Sequence, residues 1–420
     1  MIYILSEQIS LLQKILPERN VFMINIAILG FGVVGSGTAE VLTENKAIIE
    51  ERLGCEYDIR YILDLRDFPD SPFASKIVHD FNVILNDPEV TVVAEMMGGS
   101  HPAYDFTKAC LEAGKHVVTS NKEVVSTFGV ELCRIAAEHG VRYLFEASVG
   151  GGIPVIRPMI NDLSSNKINS ISGILNGTTN YILTAMRDTG ASFADALKEA
   201  QRLGYAEANP SADVDGIDAA RKITILAALA SGKLADPKSI STEGITAITL
   251  TDTKLAQAFG CSIKLIGYAD TKNGKLTAFV SPRVVPATNP LSRIDDVFNG
   301  ILVNANMVGE VMFYGPGAGK LPTASAVVAD IIDIIANRDV AVKPIVWAPA
   351  TADDMNDLST YSCRRMFVLR EGASLDTIPA TQVACENGAV GLMTDAMTES
   401  EVEALKVALG DAILAVYRVL

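Results

Sequence analysis

Cysteine is scarce in this chain and nowhere paired. Six cysteines (Cys55, Cys110, Cys133, Cys261, Cys363, Cys385) are scattered over 420 residues with no CxxC, which argues against a disulfide frame or a zinc site and fits reduced thiols in a cytoplasmic protein. Histidine is scarcer still: His79, His101, His116 and His139 stand apart, and none pairs at i, i+4 with another ligand type, so they read as structural residues. Long apolar runs are also missing. Candidates such as Ile223 to Ala230 fall well short of the about 18 to 20 residues that a membrane-spanning helix needs. There is no excess of base: 35 Lys and Arg against 50 Asp and Glu give a formal charge of -15, which repels phosphate backbones and anionic headgroups. Neither a nucleic-acid nor a membrane partner is expected, and small-molecule chemistry is the better reading. Glu7 precedes any apolar run, so a secretory leader is not expected. Residues 1–22 are read as an N-terminal extension, either a short amphipathic helix or a stretch upstream of a true start at Met23.

Apolar material is plentiful. With 49% hydrophobic and 20% charged residues over this length, two or three packed domains are expected. Ile24 to Leu29 is a continuous apolar run, followed by Gly30-Phe31-Gly32-Val33-Val34-Gly35 and a helical pattern from Thr38 to about Arg52. Further runs at Ile59 to Leu63, Thr91 to Met96, His116 to Thr119 and Val141 to Phe145 alternate with helical stretches around Ala103 to Ala113 and Val130 to His139. Strands buried on both faces and separated by helices predict a Rossmann-type, doubly wound parallel sheet. From Lys167 the pattern changes to a strand over Ile168 to Leu175 and helices at Tyr181 to Arg187, Phe193 to Leu203 and Ile217 to Ala230. A β-rich stretch then runs from Lys275 to Tyr314, with turns expected at Pro286, Pro290 and Gly300. A helix from Thr323 to Ala336 would return the chain to the first domain before a linker, and the tail reads as a small α+β unit.

The glycines permit a tight turn and let backbone approach a pyrophosphate at a helix N-terminus. Alone the pattern is weak; between an apolar strand and a helix it reads as dinucleotide-binding through Gly30, Phe31, Gly32, Val33, Val34 and Gly35. The second strand ends in Asp64, suited to a ribose 2'-hydroxyl, and Arg66, suited to a 2'-phosphate, so NAD and NADP both stay open. Lys122 follows the carboxyl end of a parallel strand, where ligands gather. In the stretch Gly204 to Lys222, Asp218 and Lys222 are four apart on a helix, share a face and can pair. A surface salt bridge is the plain alternative. The strongly apolar continuation, Ile223 to Ala230, instead suggests burial at a domain junction, where a lysine beside a carboxylate can be tuned as a proton donor.

Taken in order, the glycine fingerprint, Asn121-Lys122, Phe145 to Pro154, Gly173 to Tyr181, the Gly204 to Lys222 block and Gly317-Ala318-Gly319 resemble the homoserine dehydrogenase family over about residues 24 to 345. The resemblance implies an NADP- or NAD-dependent oxidoreductase interconverting aspartate 4-semialdehyde and homoserine, in threonine, methionine and isoleucine biosynthesis. It implies Lys222 as the catalytic acid/base with Asp218 beside it, Glu207 and Asp213 as substrate acids, and Thr178 and Tyr205 as further substrate contacts. Lys122 would touch both substrate and cofactor, Gly319 the cofactor, and Glu146 with the carbonyls of Val149, Gly151 and Ile153 a sodium ion. The implied organisation is a dinucleotide-binding domain at 23–150 completed by 315–343, a catalytic and dimerisation domain at 151–314, a linker at 344–360 and an ACT-like domain at 361–420, in a homodimer or homotetramer. The tail departs from the ACT pattern, since the proline-glycine turn expected after its first strand is missing near Leu369 to Leu375; this argues against threonine feedback inhibition. Two rival readings are another dehydrogenase on the same fold and a nucleotide sensor without chemistry.

Overall fold

A computed structural model describes residues 23–374 and 378–420; the extension at 1–22 lies outside the described residues. The first sheet contains β1 (Met23–Leu29), β2 (Glu56–Leu63), β3 (Ile77–Val78), β4 (Val90–Glu95), β5 (His116–Thr119) and β6 (Tyr143–Leu144). Its order is β3-β2-β1-β4-β5-β6 and every pairing is parallel. Order reverses between β1 and β4, which is where ligands bind in such sheets, and the glycine turn leaves β1 at that point. The helical stretch expected from Thr38 to Arg52 is two helices, Val33–Glu44 and Lys46–Leu53, broken at Asn45. The helix Lys320–Ala336 packs on this sheet, its Val327, Ile331 and Ile335 joining Ile26, Ile28 and Ile62 in one core. Gly37 admits it, because a Cβ there would lie 2.8 Å from the Lys320 carbonyl.

The second sheet is mixed and ten-stranded. It contains β7 (Ile168–Ile174), β9 (Ser241–Thr242), β10 (Cys261–Asp270), β11 (Thr277–Pro286), β12 (Phe298–Ala305) and β13 (Gly309–Pro316), while β8 (Lys233–Leu234) stands apart. Gly300, expected in a turn, lies inside β12: a Cβ there would lie 2.0 Å from Ile294 Cδ1, so packing rather than chain reversal accounts for the glycine. The linker is pinned. Its β14 (Ala348–Pro349) pairs with β8, and the buried Trp347 packs on Gly129.

The tail forms β15 (Ser362–Arg370), β16 (Ala380–Glu386), β17 (Ala389–Thr398), a helix over Glu399–Leu409 and β18 (Ile413–Val419). Phe367, Leu392 and Val402 give it a small core of its own. It is nonetheless joined to the second sheet, because β18 runs parallel to β11 with Arg418 opposite Arg283. No helix of the described residues is long and apolar enough to cross a membrane.

Candidate active site

The helix Ile217–Ser231 carries Asp218 and Lys222 one turn apart, both buried and in contact, Lys222 Nζ donating to Asp218 Oδ2 at 2.7 Å. Lys222 also donates to the Leu175 carbonyl at 2.7 Å. Lys122, the first residue of the helix Lys122–Glu138 in the other domain, reaches the remaining Asp218 oxygen at 2.9 Å. One carboxylate thus holds two ammonium groups. Asn176 completes the arrangement: its Oδ1 caps the helix Gly177–Thr189 while its Nδ2 donates to Asp213 at 2.7 Å and Asp218 at 2.9 Å. The sequence reading gives Asn176 no role, although an asparagine capping a helix beside an acidic loop is the available signal.

Burial alone would raise the Asp218 carboxyl, but the charges of Lys222 and Lys122, with the Asn176 amide, hold it well below the usual carboxylate range. Burial moves Lys222 the other way, below the ordinary lysine value, against the opposing pull of Asp218. Asp218 and Asp213 keep Lys122 above it. The two lysines therefore differ: Lys122 is a fixed cation and Lys222 is the one primed to release a proton. Asp213 is pushed up by burial and pairs with no cation among the described residues. Thr178 donates to the Tyr205 carbonyl at 2.6 Å, tying the Gly204 loop to the helix start. Tyr205 and Glu207 are exposed, and the Glu207 side chain makes no hydrogen bond among the described residues, so it stands at the rim rather than in the cluster.

The glycine turn opens onto a cavity of about 490 Å³ lined by Gly30, Gly32, Asp64, Arg66, Met97 and Gly98 among others. Gly35 is forced by packing: a Cβ there would lie 1.9 Å from the Gly30 carbonyl. Gly32 has open space around it, as close approach by a ligand requires. Phe31 N donates to Asp64 at 2.8 Å, and Arg66 takes both carboxylate oxygens of Asp64, at 2.9 and 3.0 Å, with its guanidinium over the Phe68 ring. Val33 and Val34 open the helix behind the turn. Gly319, with φ at +128°, precedes the first turn of the Lys320–Ala336 helix.

Glu146 is held by main-chain amides. Its carboxylate is turned away to accept the amides of Val155, Ile156 and Arg157 at 2.6, 2.8 and 2.7 Å, capping the helix Ile156–Ile160. Its Oε1 takes two of these amides and its Oε2 one. The buried residues Val149, Gly151 and Ile153 do present main-chain carbonyls that accept no hydrogen bond among the described residues.

A parallel sheet with a glycine turn at its switch point, and a lysine–carboxylate cluster beside it, define an NAD(P)-dependent oxidoreductase. Comparison with known proteins agrees. The family model for homoserine dehydrogenase matches residues 154–332 and that for its NAD-binding domain residues 30–146. The homoserine dehydrogenase of Neisseria gonorrhoeae is 40% identical over 368 residues, covering 86% of this chain and 84% of that one. That of Synechocystis is 43% identical over 323 residues, covering 74% and 73%. Among solved structures, a homoserine dehydrogenase from Thiobacillus denitrificans superposes with a TM-score of 0.86 at 33% identity, covering 95% and 98% of the two chains. A hyperthermophilic archaeal homoserine dehydrogenase mutant in complex with NADPH gives 0.64 at 29% identity, covering 74% and 97%. The chain belongs to the homoserine dehydrogenase family.

Proposed function

We propose that this chain reduces L-aspartate 4-semialdehyde to L-homoserine, and catalyses the reverse, with Lys222 as the proton donor. The observation that carries the reading is the buried Asp218 shared by Lys222 and Lys122 across the domain junction. A bound reduced nicotinamide supplies hydride to the carbonyl carbon. Lys222 Nζ, already lowered toward proton release, gives its proton to the carbonyl oxygen as negative charge grows there, and Lys122 keeps a positive charge nearby. Asp218 holds both amines in place. Asp213, partly buried and lacking a cation, suits the substrate ammonium, with Glu207 closing over it from the rim.

Asp64 supports NADP over NAD. Its two oxygens already take four hydrogen bonds, from Phe31 N, Arg66 N and two guanidinium nitrogens, which leaves no acceptor for a ribose hydroxyl pair, while exposed Arg66 is held ready for a phosphate. The carbonyls of Val149, Gly151 and Ile153 fit a hard cation such as sodium, which takes oxygen ligands. Asn299 adds to that fit: it is fully buried, both its amide atoms lack a partner among the described residues, and it packs on Gly317, which in turn packs on Gly151. The tail is read as a degenerate ACT-like unit, four strands and one helix in which no helix of the described residues joins β15 to β16. Exposed Met312 and Tyr314 on the edge strand β13 favour assembly with a second copy.

Turnover of NADPH and NADH should be measured against aspartate 4-semialdehyde and a panel of other amino-acid carbonyls. Preference for the semialdehyde supports the reading. Equal or better turnover of another carbonyl moves it to a different dehydrogenase on the same fold.

A further inference from the structure

We propose that Glu95 is a positioning residue for this reaction, the anchor that sets the floor of the cofactor cavity against the turn carrying Lys122; the proposal rests on the dehydrogenase reading above. Glu95 is the last residue of β4, at the carboxyl end of the parallel sheet, and is fully buried. Its Oε1 accepts from the Met97 amide at 2.7 Å and its Oε2 from the Thr119 hydroxyl at 2.6 Å. Thr119 in turn accepts from the Asn121 amide at 2.9 Å. Asn121 closes the ring by donating to the Met97 and Gly99 carbonyls at 3.2 and 2.8 Å, and its Oδ1 accepts from Val124 N at the start of the Lys122 helix. The Thr119–Glu95 bond and the two Asn121 amide bonds join the end of β4 to the end of β5. Met97 and Gly98 line the cofactor cavity, and Lys122 is the next residue after Asn121.

The groups that face Glu95 are Thr119 from β5, the Met97 amide, the Asn121 side chain, and the Tyr143 phenol from β6, with Cys133 behind it. Tyr143 is itself without a hydrogen-bond partner among the described residues. None of these groups is a cation. Burial therefore dominates and pushes the Glu95 carboxyl up to about 7. The ionised carboxylate accepts from both neighbours. Once protonated it must turn one acceptor into a donor, and of the two donors bonded to it only the Thr119 hydroxyl can reverse; that rotation leaves the Thr119 hydrogen without its acceptor and re-aims the lone pair that accepts from Asn121. A cavity floor that is firm above neutral pH and looser below it follows from this geometry.

The test is titration of the full-length protein with NADPH, read by cofactor fluorescence from pH 6 to pH 8.5, alongside kcat and KM. For the unmodified protein the cofactor Kd should rise about fivefold as pH falls across this range, roughly the worth of one hydrogen bond. Glu95→Gln, which mimics the protonated group, should bind at the weaker level at every pH, with KM for cofactor moving more than kcat. Thr119→Val should flatten the same profile from the other end, and it decides the matter if Glu95→Gln does not fold. His79, exposed on the wall of the same cavity and raised by its bond to the Asp64 carbonyl, is the competing titrating group. A pH dependence kept intact in Glu95→Gln, or in Thr119→Val where only that variant folds, belongs to His79 and overturns the proposal. Because cofactor binding is read directly, failure of the semialdehyde to turn over would sink the functional reading and leave this result standing.

Discussion

The cofactor cavity and the lysine cluster are built from different parts of the chain. In the cavity the backbone does most of the work: Gly32 leaves room, Gly35 lets helix meet strand, and the Phe31 amide fixes Asp64. In the cluster the work falls to side chains: Lys122, Lys222 and Asn176 meet on Asp218, and Asn176 carries the link on to Asp213. A site made of backbone tolerates no added atom, whereas a site made of charges tolerates no lost partner. Substitutions should therefore fail differently in the two regions.

The largest effect is expected at Lys222. Lys222→Ala should cut turnover by about 10²- to 10⁴-fold, the usual worth of a positioned proton donor, while stopped-flow or equilibrium titration finds cofactor affinity unchanged. A matching loss of cofactor affinity would mean that the two regions are not separable. Next come the glycines. Gly35→Ala has to displace the Gly30 carbonyl and should lower stability by about 1–3 kcal/mol, read as a drop in Tm. Gly32→Ala, with open space around it, should keep its Tm yet weaken NADPH binding. If both lost stability alike, the open approach at Gly32 would be refuted.

The pH profile sharpens the contrast further. The reductive reaction needs Lys222 charged, a state present below its pKa and lost as pH rises through it. Because burial lowers that pKa from the ordinary 10.5, the alkaline limb of kcat should fall below that value. A limb at or above it would contradict the burial argument. The smallest effect is at Arg66, which is exposed and outside the packed core. Arg66→Ala should leave Tm alone, weaken NADPH and spare NADH, and equal weakening of both would remove the case for a 2'-phosphate contact.

Legibility in the sequence follows the same division. The glycine turn could be read because tight turns and close approaches admit few residues other than glycine, and Asp218 with Lys222 because helical spacing alone brings them together. Lys122 could be read from its place after a parallel strand. Asn176 could not, since its two acidic partners lie in other elements and only the fold supplies them. The strand Cys261–Asp270 leaves no clean period because it is buried on both faces, with Lys264 among its fully buried side chains. At Glu146 the sequence shows a carboxylate beside a glycine run, and nothing local reveals the three amides that it accepts. Glu95 lies inside the apolar run Thr91 to Met96, and nothing local tells that the neighbouring strand brings Thr119 against it.

The most direct test of the central claim is NADPH oxidation with L-aspartate 4-semialdehyde, measured beside cofactor binding for the unmodified protein and Lys222→Ala. The account predicts turnover by the first, near-complete loss in the second, and the same cofactor affinity in both. Cofactor binding without turnover in the unmodified protein, or a Lys222→Ala variant that keeps its rate, would contradict it.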